Sequence, residues 1–177
     1  MPAPRIRLYV AASLDGYIAA RDGGAAWLEP FKGDYGYDAF FASIGTLVMG
    51  RATYDHAREL GAWPYDGKPT WVLTSRAMPG TPEGVEPWPW GIPKLVEQLR
   101  GGPGDVWLVG GGKAVRGFLE ADGVDDIELF VMPRLLGDGV RLFEPTSAFA
   151  PLELADTHAY EDGVVRLRYR RVGDVGE

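Results

Sequence analysis

Three short segments combine glycine with residues able to grip an anion: Met49-Gly50-Arg51-Ala52-Thr53, Leu73-Thr74-Ser75-Arg76 and Val109-Gly110-Gly111-Gly112-Lys113-Ala114. Each follows a short apolar run of the kind that forms a buried strand, and the first and third lead into helix-like sequence. The end of a parallel strand meeting the start of a helix presents free N–H groups and a partial positive charge. Glycine there lets a phosphate come close to the backbone. Two such junctions side by side can hold the two phosphates of a dinucleotide, with Thr53 adding a hydroxyl as cap and ligand. Arg51 and Arg76, helped by Ser75, are placed to clamp one further phosphate, which selects NADPH over NADH. Glycine at a strand–helix turn also occurs without any ligand, and both arginines also suit a solvated surface. Three glycines in a row are harder to attribute to a turn alone, because each costs about 0.5–1 kcal/mol relative to alanine. Position 115 is valine, which breaks the dinucleotide pattern G-x-G-x-x-G, and Ala114 breaks the P-loop pattern.

Other candidates lie near the N-terminus. Asp15-Gly16 follows the first strand and either makes a turn or supplies a carboxyl that orients a ligand or gives up a proton. Ala11 and Ala12 are small enough for a flat ring to lie against them. Asp34, Tyr35 and Asp38 fall in or beside a short helix able to wall a pocket, where a buried carboxyl can act as general acid. Of the loop aromatics, Trp63 and Tyr65 are better placed than Trp88 and Trp90 to stack on a heterocycle.

The elements that must position these residues follow from hydropathy. A first strand is expected over Arg5–Ala12, with Ile6, Leu8 and Val10 on one face. A long loop over 20–36 precedes a helix over Tyr37–Ile44. Further strands are expected at Thr46–Met49, Trp71–Thr74, Val106–Val109 and Ile127–Met132. Helices are expected over Thr53–Leu60, from Pro93, and after the triple glycine. Residues 77–91, rich in Pro, Gly and Trp, suggest a loop. The alternation of Val165, Leu167 and Tyr169 with arginines, after the turn Asp162-Gly163, predicts a terminal hairpin. The pattern is an α/β domain, mainly parallel with an antiparallel edge.

Bulk properties narrow the function. The 177 residues suit one domain, and the formal net charge of −7 disfavours nucleic-acid or anionic-membrane binding. The chain has no cysteine and two distant histidines, His56 and His158, so no metal site is expected. No membrane span or signal peptide is discernible, so a cytoplasmic location is the default.

Together, Ala12-Ser-Leu-Asp-Gly-Tyr-Ile-Ala19, Val48-Met-Gly-Arg-Ala-Thr-Tyr54, Leu73–Arg76, Val109–Gly112 and Pro133-Arg-Leu-Leu-Gly-Asp-Gly139 occur in an order that resembles the dihydrofolate-reductase-like superfamily. They look closest to the RibD C-terminal reductase domain and its stand-alone relatives. The resemblance implies a single three-layer domain over 1–177, often homodimeric. It also implies NADPH as hydride donor and a pterin- or pyrimidine-like acceptor, as in a 5-amino-6-(5-phosphoribosylamino)uracil reductase or a dihydrofolate reductase. It places Gly50, Arg51, Thr53, Gly111, Gly112 and Lys113 at the cofactor phosphates and Ser75 and Arg76 by the 2′-phosphate, with Thr74 beside them as a further cofactor-binding candidate. Ala12 and Ile18 would lie near the nicotinamide, with Val109 and Ala114 flanking the glycine junction, and Asp15 and Asp38 are the candidate acids. The Asp55–Tyr65 segment and Gly110 depart from the riboflavin-pathway pattern, so the cofactor half matches more closely than the substrate half. Two rival readings keep the fold without the chemistry: a nucleotide- or flavin-binding protein, and an interaction module with a vestigial site.

Overall fold

The computed structural model describes residues 3–148 and 151–173. Its main sheet has eight strands: β1 (Ile6–Ser13), β3 (Ile44–Gly50), β4 (Thr70–Leu73), β5 (Val85–Trp88), β6 (Asp105–Gly110), β7 (Asp126–Met132), β9 (Leu152–Ala159) and β10 (Val165–Arg171). A two-stranded ribbon pairs β2 (Tyr17–Ala19) with β8 (Val140–Arg141). The helices are α1 (Tyr37–Ser43), α2 (Arg51–Glu59), α3 (Ile92–Arg100) and α4 (Gly112–Glu120). The spatial order is β5-β4-β3-β6-β1-β7-β10-β9. The first six run parallel, and β10 is antiparallel to both β7 and β9.

Helices cover the parallel part on both faces because its strands are apolar on both. On one side Leu95, Leu99, Val115 and Phe118 from α3 and α4 pack on Ile6, Leu8, Val48 and Leu108. Complete burial of the Phe118 ring contributes about 1.5–3 kcal/mol. On the other side Phe40 of α1 and Tyr54 of α2 meet Leu47, Met49, Val72 and Trp107. The result is three layers, helix–sheet–helix, with the terminal hairpin as the antiparallel edge.

Three expectations need correction. Residues 77–91 are not all loop: Val85–Trp88 pairs with β4. Pro87 is tolerated because β5 is the edge strand and its proline need not donate to a further neighbour. Helix α2 begins at Arg51, not Thr53, with extended Gly50 as its N-cap; Thr53 is therefore inside the first turn and does not cap it. Within the expected 20–36 loop, a short 3-10 turn over Ala26–Leu28 buries Trp27.

Candidate active site

Parallel strands β3 and β6 are neighbours, with Met49 opposite Gly110, so the helices that follow them start side by side. Neither α2 nor α4 has a side-chain cap at its N-terminus. Their first N–H groups therefore remain available to an anion. The junctions nearly touch: a Cβ added to Gly111 would lie 3.6 Å from Thr53 Oγ1 and 3.8 Å from Ile18 Cδ1. Gly110 has φ +134°, a conformation that L side chains rarely adopt. Gly112 is required for a different reason, since a Cβ there would meet the Arg141 carbonyl oxygen at 2.2 Å.

Three adjoining chambers form a trough along the carboxyl ends of the strands. The inner one, about 890 Å³, is bounded by Gly50, Arg51, Thr53, Gly111, Gly112 and Ala114, and its cations are Arg51, Arg76, Lys113 and Arg141. Its single carboxylate, Glu144, lies 3.6 Å from Arg116. Ala52, Thr53, Gly111 and Val140 also line the middle chamber, about 610 Å³, which adds Ala11, Ile18, His56, Trp107 and Val109. Tyr9, Ala11 and Leu28 continue into the outer chamber, about 520 Å³, where Phe31, Asp34, Tyr35, Tyr37 and Asp38 complete the wall. Two uncapped helix starts and four cations make the inner chamber fit a chain of phosphates, and the aromatic outer chambers fit flat rings.

Most candidate residues converge on this trough, but several do not. The side chain of Ala12 is 2% exposed and packs in the α3–α4 core. Strand alternation puts Ala11, not Ala12, on the trough wall. Thr74 and Ser75 lie outside the lining. The Thr74 hydroxyl accepts the Arg76 backbone N–H at 3.1 Å and shapes the turn that carries Arg76. Trp63 and Tyr65 pack into the α1–α2 core instead of facing the trough, where burial pushes the Tyr65 hydroxyl up to about 12. The aromatics that face the middle chamber, Tyr9 and Trp107, belong to β1 and β6. Tyr9 stacks on Phe40 with centroids 3.9 Å apart, and its backbone carbonyl accepts from Trp107 Nε1 at 3.0 Å. Both rings are thus fixed by the protein itself. Burial raises the Tyr9 hydroxyl well above its ordinary value, which keeps it neutral.

Asp15 is engaged in structural hydrogen bonds. Its carboxylate accepts from the Ser13 hydroxyl at 2.6 Å and from the N–H groups of Leu136 and Gly137 at 3.1 and 2.7 Å. The Ser13 hydrogen bond, then the two backbone bonds, hold its pKa at about 2 against a usual 3.8. A carboxylate stabilised in its ionised form is a poor proton donor, and Asp15 does not line the chambers. It fastens the 134–139 loop to the end of β1. A depressed folded-state pKa gives stability that is present above the unfolded value and lost as pH falls through the folded one. Asp15→Ala should therefore lower Tm at neutral pH. The difference from the parent protein should shrink as pH falls from about 4 through about 2, as followed by thermal melts across that range.

A helix–sheet–helix domain whose trough crosses the ends of parallel strands, with a terminal antiparallel hairpin, is the architecture of the dihydrofolate-reductase-like class. The comparisons with known proteins agree. The model of the RibD C-terminal domain matches residues 4–166. The uncharacterized protein YwjB of Bacillus subtilis (strain 168) is 34% identical over 168 residues, covering 93% of this chain and 96% of that protein. The crystal structure of a putative riboflavin biosynthesis protein from Shewanella sp. PV-4 superposes with a TM-score of 0.84 at 29% identity, over 96% of this chain and 99% of that one. Dihydrofolate reductase from Enterococcus faecalis, complexed with NADP(H), gives a TM-score of 0.67 at 18% identity, over 96% and 97% of the two chains, and shares the fold. The chain belongs to the RibD C-terminal domain family. Among the described residues no helix is long and apolar enough to cross a membrane, and no group of three or more His, Cys, Asp or Glu is arranged to hold a metal ion.

Proposed function

We propose that the protein is an NADPH-dependent reductase acting on a flat, pterin- or pyrimidine-like heterocycle. The observation that carries this reading is the meeting of the 50–53 and 110–113 junctions over one cationic cavity that opens onto a ring-sized aromatic one. The α2 and α4 N-termini, with Lys113, hold the pyrophosphate, and Arg51 and Arg76 flank the 2′-phosphate. Ala11, Ile18 and the Gly110–Gly111 turn wall the nicotinamide. NADPH, when bound, supplies the hydride. The protein contributes orientation, with Tyr9 and Trp107 as rigid floor and side wall for the acceptor, and partial exclusion of water. With Asp15 committed to the 134–139 loop, Asp38 is the proposed proton source for the reduced centre, directly or through water.

The test is NADPH binding by fluorescence titration, followed by NADPH oxidation against dihydrofolate, 5-amino-6-(5-phosphoribosylamino)uracil and unphosphorylated aminopyrimidines and pterins. Saturable NADPH binding and consumption with at least one ring are expected. Absence of cofactor binding would overturn the reading, and binding without any turnover would favour a non-catalytic nucleotide binder.

A further inference from the structure

The charges along the trough divide sharply. The inner chamber carries Arg51, Arg76, Lys113 and Arg141 against Glu144. Apart from tyrosines, the acidic and basic side chains lining the middle chamber are Asp22, Asp55, His56 and Glu59, and those lining the outer chamber are Lys32, Asp34 and Asp38. Lys32 is thus the one lysine or arginine among the described lining of the two acceptor chambers, facing five carboxylates. Of these, Asp55 is paired with Arg51 at 2.7 Å. Asp22 and Asp34 accept only the N–H groups of Gly24 and Gly36, at 2.8 and 2.9 Å. Glu59 has only His56 nearby, 3.9 Å away.

Hydrogen-bonding capacity points the same way. The Trp107 N–H is used by the Tyr9 carbonyl, and the Tyr9 hydroxyl donates to the Tyr35 carbonyl at 3.4 Å. These two ring donors are therefore spent within the protein, whereas the carboxylates of these chambers are acceptors. A phosphate group, itself an acceptor at neutral pH, would meet more like charges than cations there. Ring amino and N–H groups, by contrast, find acceptors at hand.

Resting on the reductase reading, with the acceptor in the outer chamber and in the part of the middle chamber that the nicotinamide leaves open, we propose that this chain's substrate is an unphosphorylated amino-heterocycle, neutral or cationic. The chamber carboxylates reject the phosphorylated version of the same ring. The discrimination is between two anions within one trough: the cofactor's phosphates are accepted at the cationic end, and a substrate phosphate is refused at the acidic end.

The experiment first titrates the protein with NADPH and then, with NADP+ bound so that no turnover occurs, measures the affinity of a matched pair by calorimetry. The pair is 5-amino-6-(ribosylamino)uracil and its 5′-phosphate, with 2,4-diaminopyrimidine as a small cation-forming ring. The unphosphorylated member should bind at least about tenfold more tightly, since like-charge juxtaposition is costly. In an Asp22→Lys/Glu59→Lys protein that preference should collapse or reverse, by more than any change in NADPH affinity. Equal or tighter binding of the phosphate by the parent protein, no binding of any of the three rings, or an unchanged preference in the charge-reversed protein would each overturn the inference. Loss of NADPH binding at the first step would instead overturn the reductase reading itself.

Discussion

Gly111→Val is expected to abolish measurable NADPH binding in a protein that still folds, whereas Gly112→Ala, a smaller change one residue on, is expected to damage the fold. Gly111 has φ −76° and ψ −165°, which any residue adopts, and a Cβ there makes only ordinary contacts with Thr53 and Ile18. The valine methyls would occupy the gap between the two helix starts, where the pyrophosphate is proposed to lie. A loss of about two orders of magnitude in affinity, roughly 2.7 kcal/mol, is expected from fluorescence titration, with little change in Tm. At Gly112 the added Cβ would sit 2.2 Å from the Arg141 carbonyl oxygen. That is backbone of β8, which cannot swing aside as a side chain would. Overpacking of this kind costs about 1–3 kcal/mol or more, and in a domain of this size each kcal/mol lowers Tm by about 2–4 °C. Calorimetry on both variants separates a glycine that keeps a ligand path open from one that lets two backbones approach. If Gly111→Val bound NADPH like the parent protein, the phosphates would have to lie elsewhere.

The contrast between these neighbours shows which features the sequence makes readable. Three glycines at a strand–helix junction mark a special backbone, but the string is the same whether each serves a ligand, a positive φ or a packing contact. The same ambiguity governs the strands. Ile6, Leu8 and Val10 on one face already imply that Ala12 lies with them and Ala11 opposite. Nothing in the alternation says which face meets a cavity, and Ala12 in fact belongs to the core. Tyr9 and Trp107 sit inside apolar runs that look like ordinary buried strand. Loop aromatics such as Trp63 and Tyr65 attract attention because they lack an obvious core, yet they find one on the α1–α2 side. Short elements escape for a related reason. β2, β8 and β5 have three, two and four residues, too few for a period to show, and Pro87 disguises the last. Long amphipathic patterns fare better: Leu95, Val96 and Leu99 of α3 are buried together as their spacing requires. Asp15 is ambiguous in sequence because its partners, Leu136 and Gly137, lie more than a hundred positions away.

Arg76→Ala should weaken NADPH by about 10- to 100-fold while changing NADH affinity less than about twofold, because only NADPH carries the 2′-phosphate. Both Arg51 and Arg76 line the inner chamber, but they are not equivalent. Arg51 Nε already donates to Asp55 at 2.7 Å, and its Nη1 donates to the Ala77 carbonyl at 3.3 Å. Part of its charge is thereby offset, and part of its role is to tie α2 to the segment after β4. Arg76 is exposed on a turn shaped by the Thr74 hydroxyl, so its guanidinium can close on an incoming phosphate at little cost to the fold. A hydrogen bond to a charged group contributes about 1.5–3 kcal/mol, which sets the expected range. Arg76→Lys should recover part of the loss, since a point charge replaces a planar fork. The NADPH preference of the parent protein should also fall as salt is raised, because the pair is solvent-exposed and screened. Arg51→Ala should instead lower Tm and weaken both cofactors. Titration of the three variants with both nucleotides at low and high salt checks these outcomes, and equal losses of NADPH and NADH on Arg76→Ala would remove Arg76 from the 2′-phosphate site.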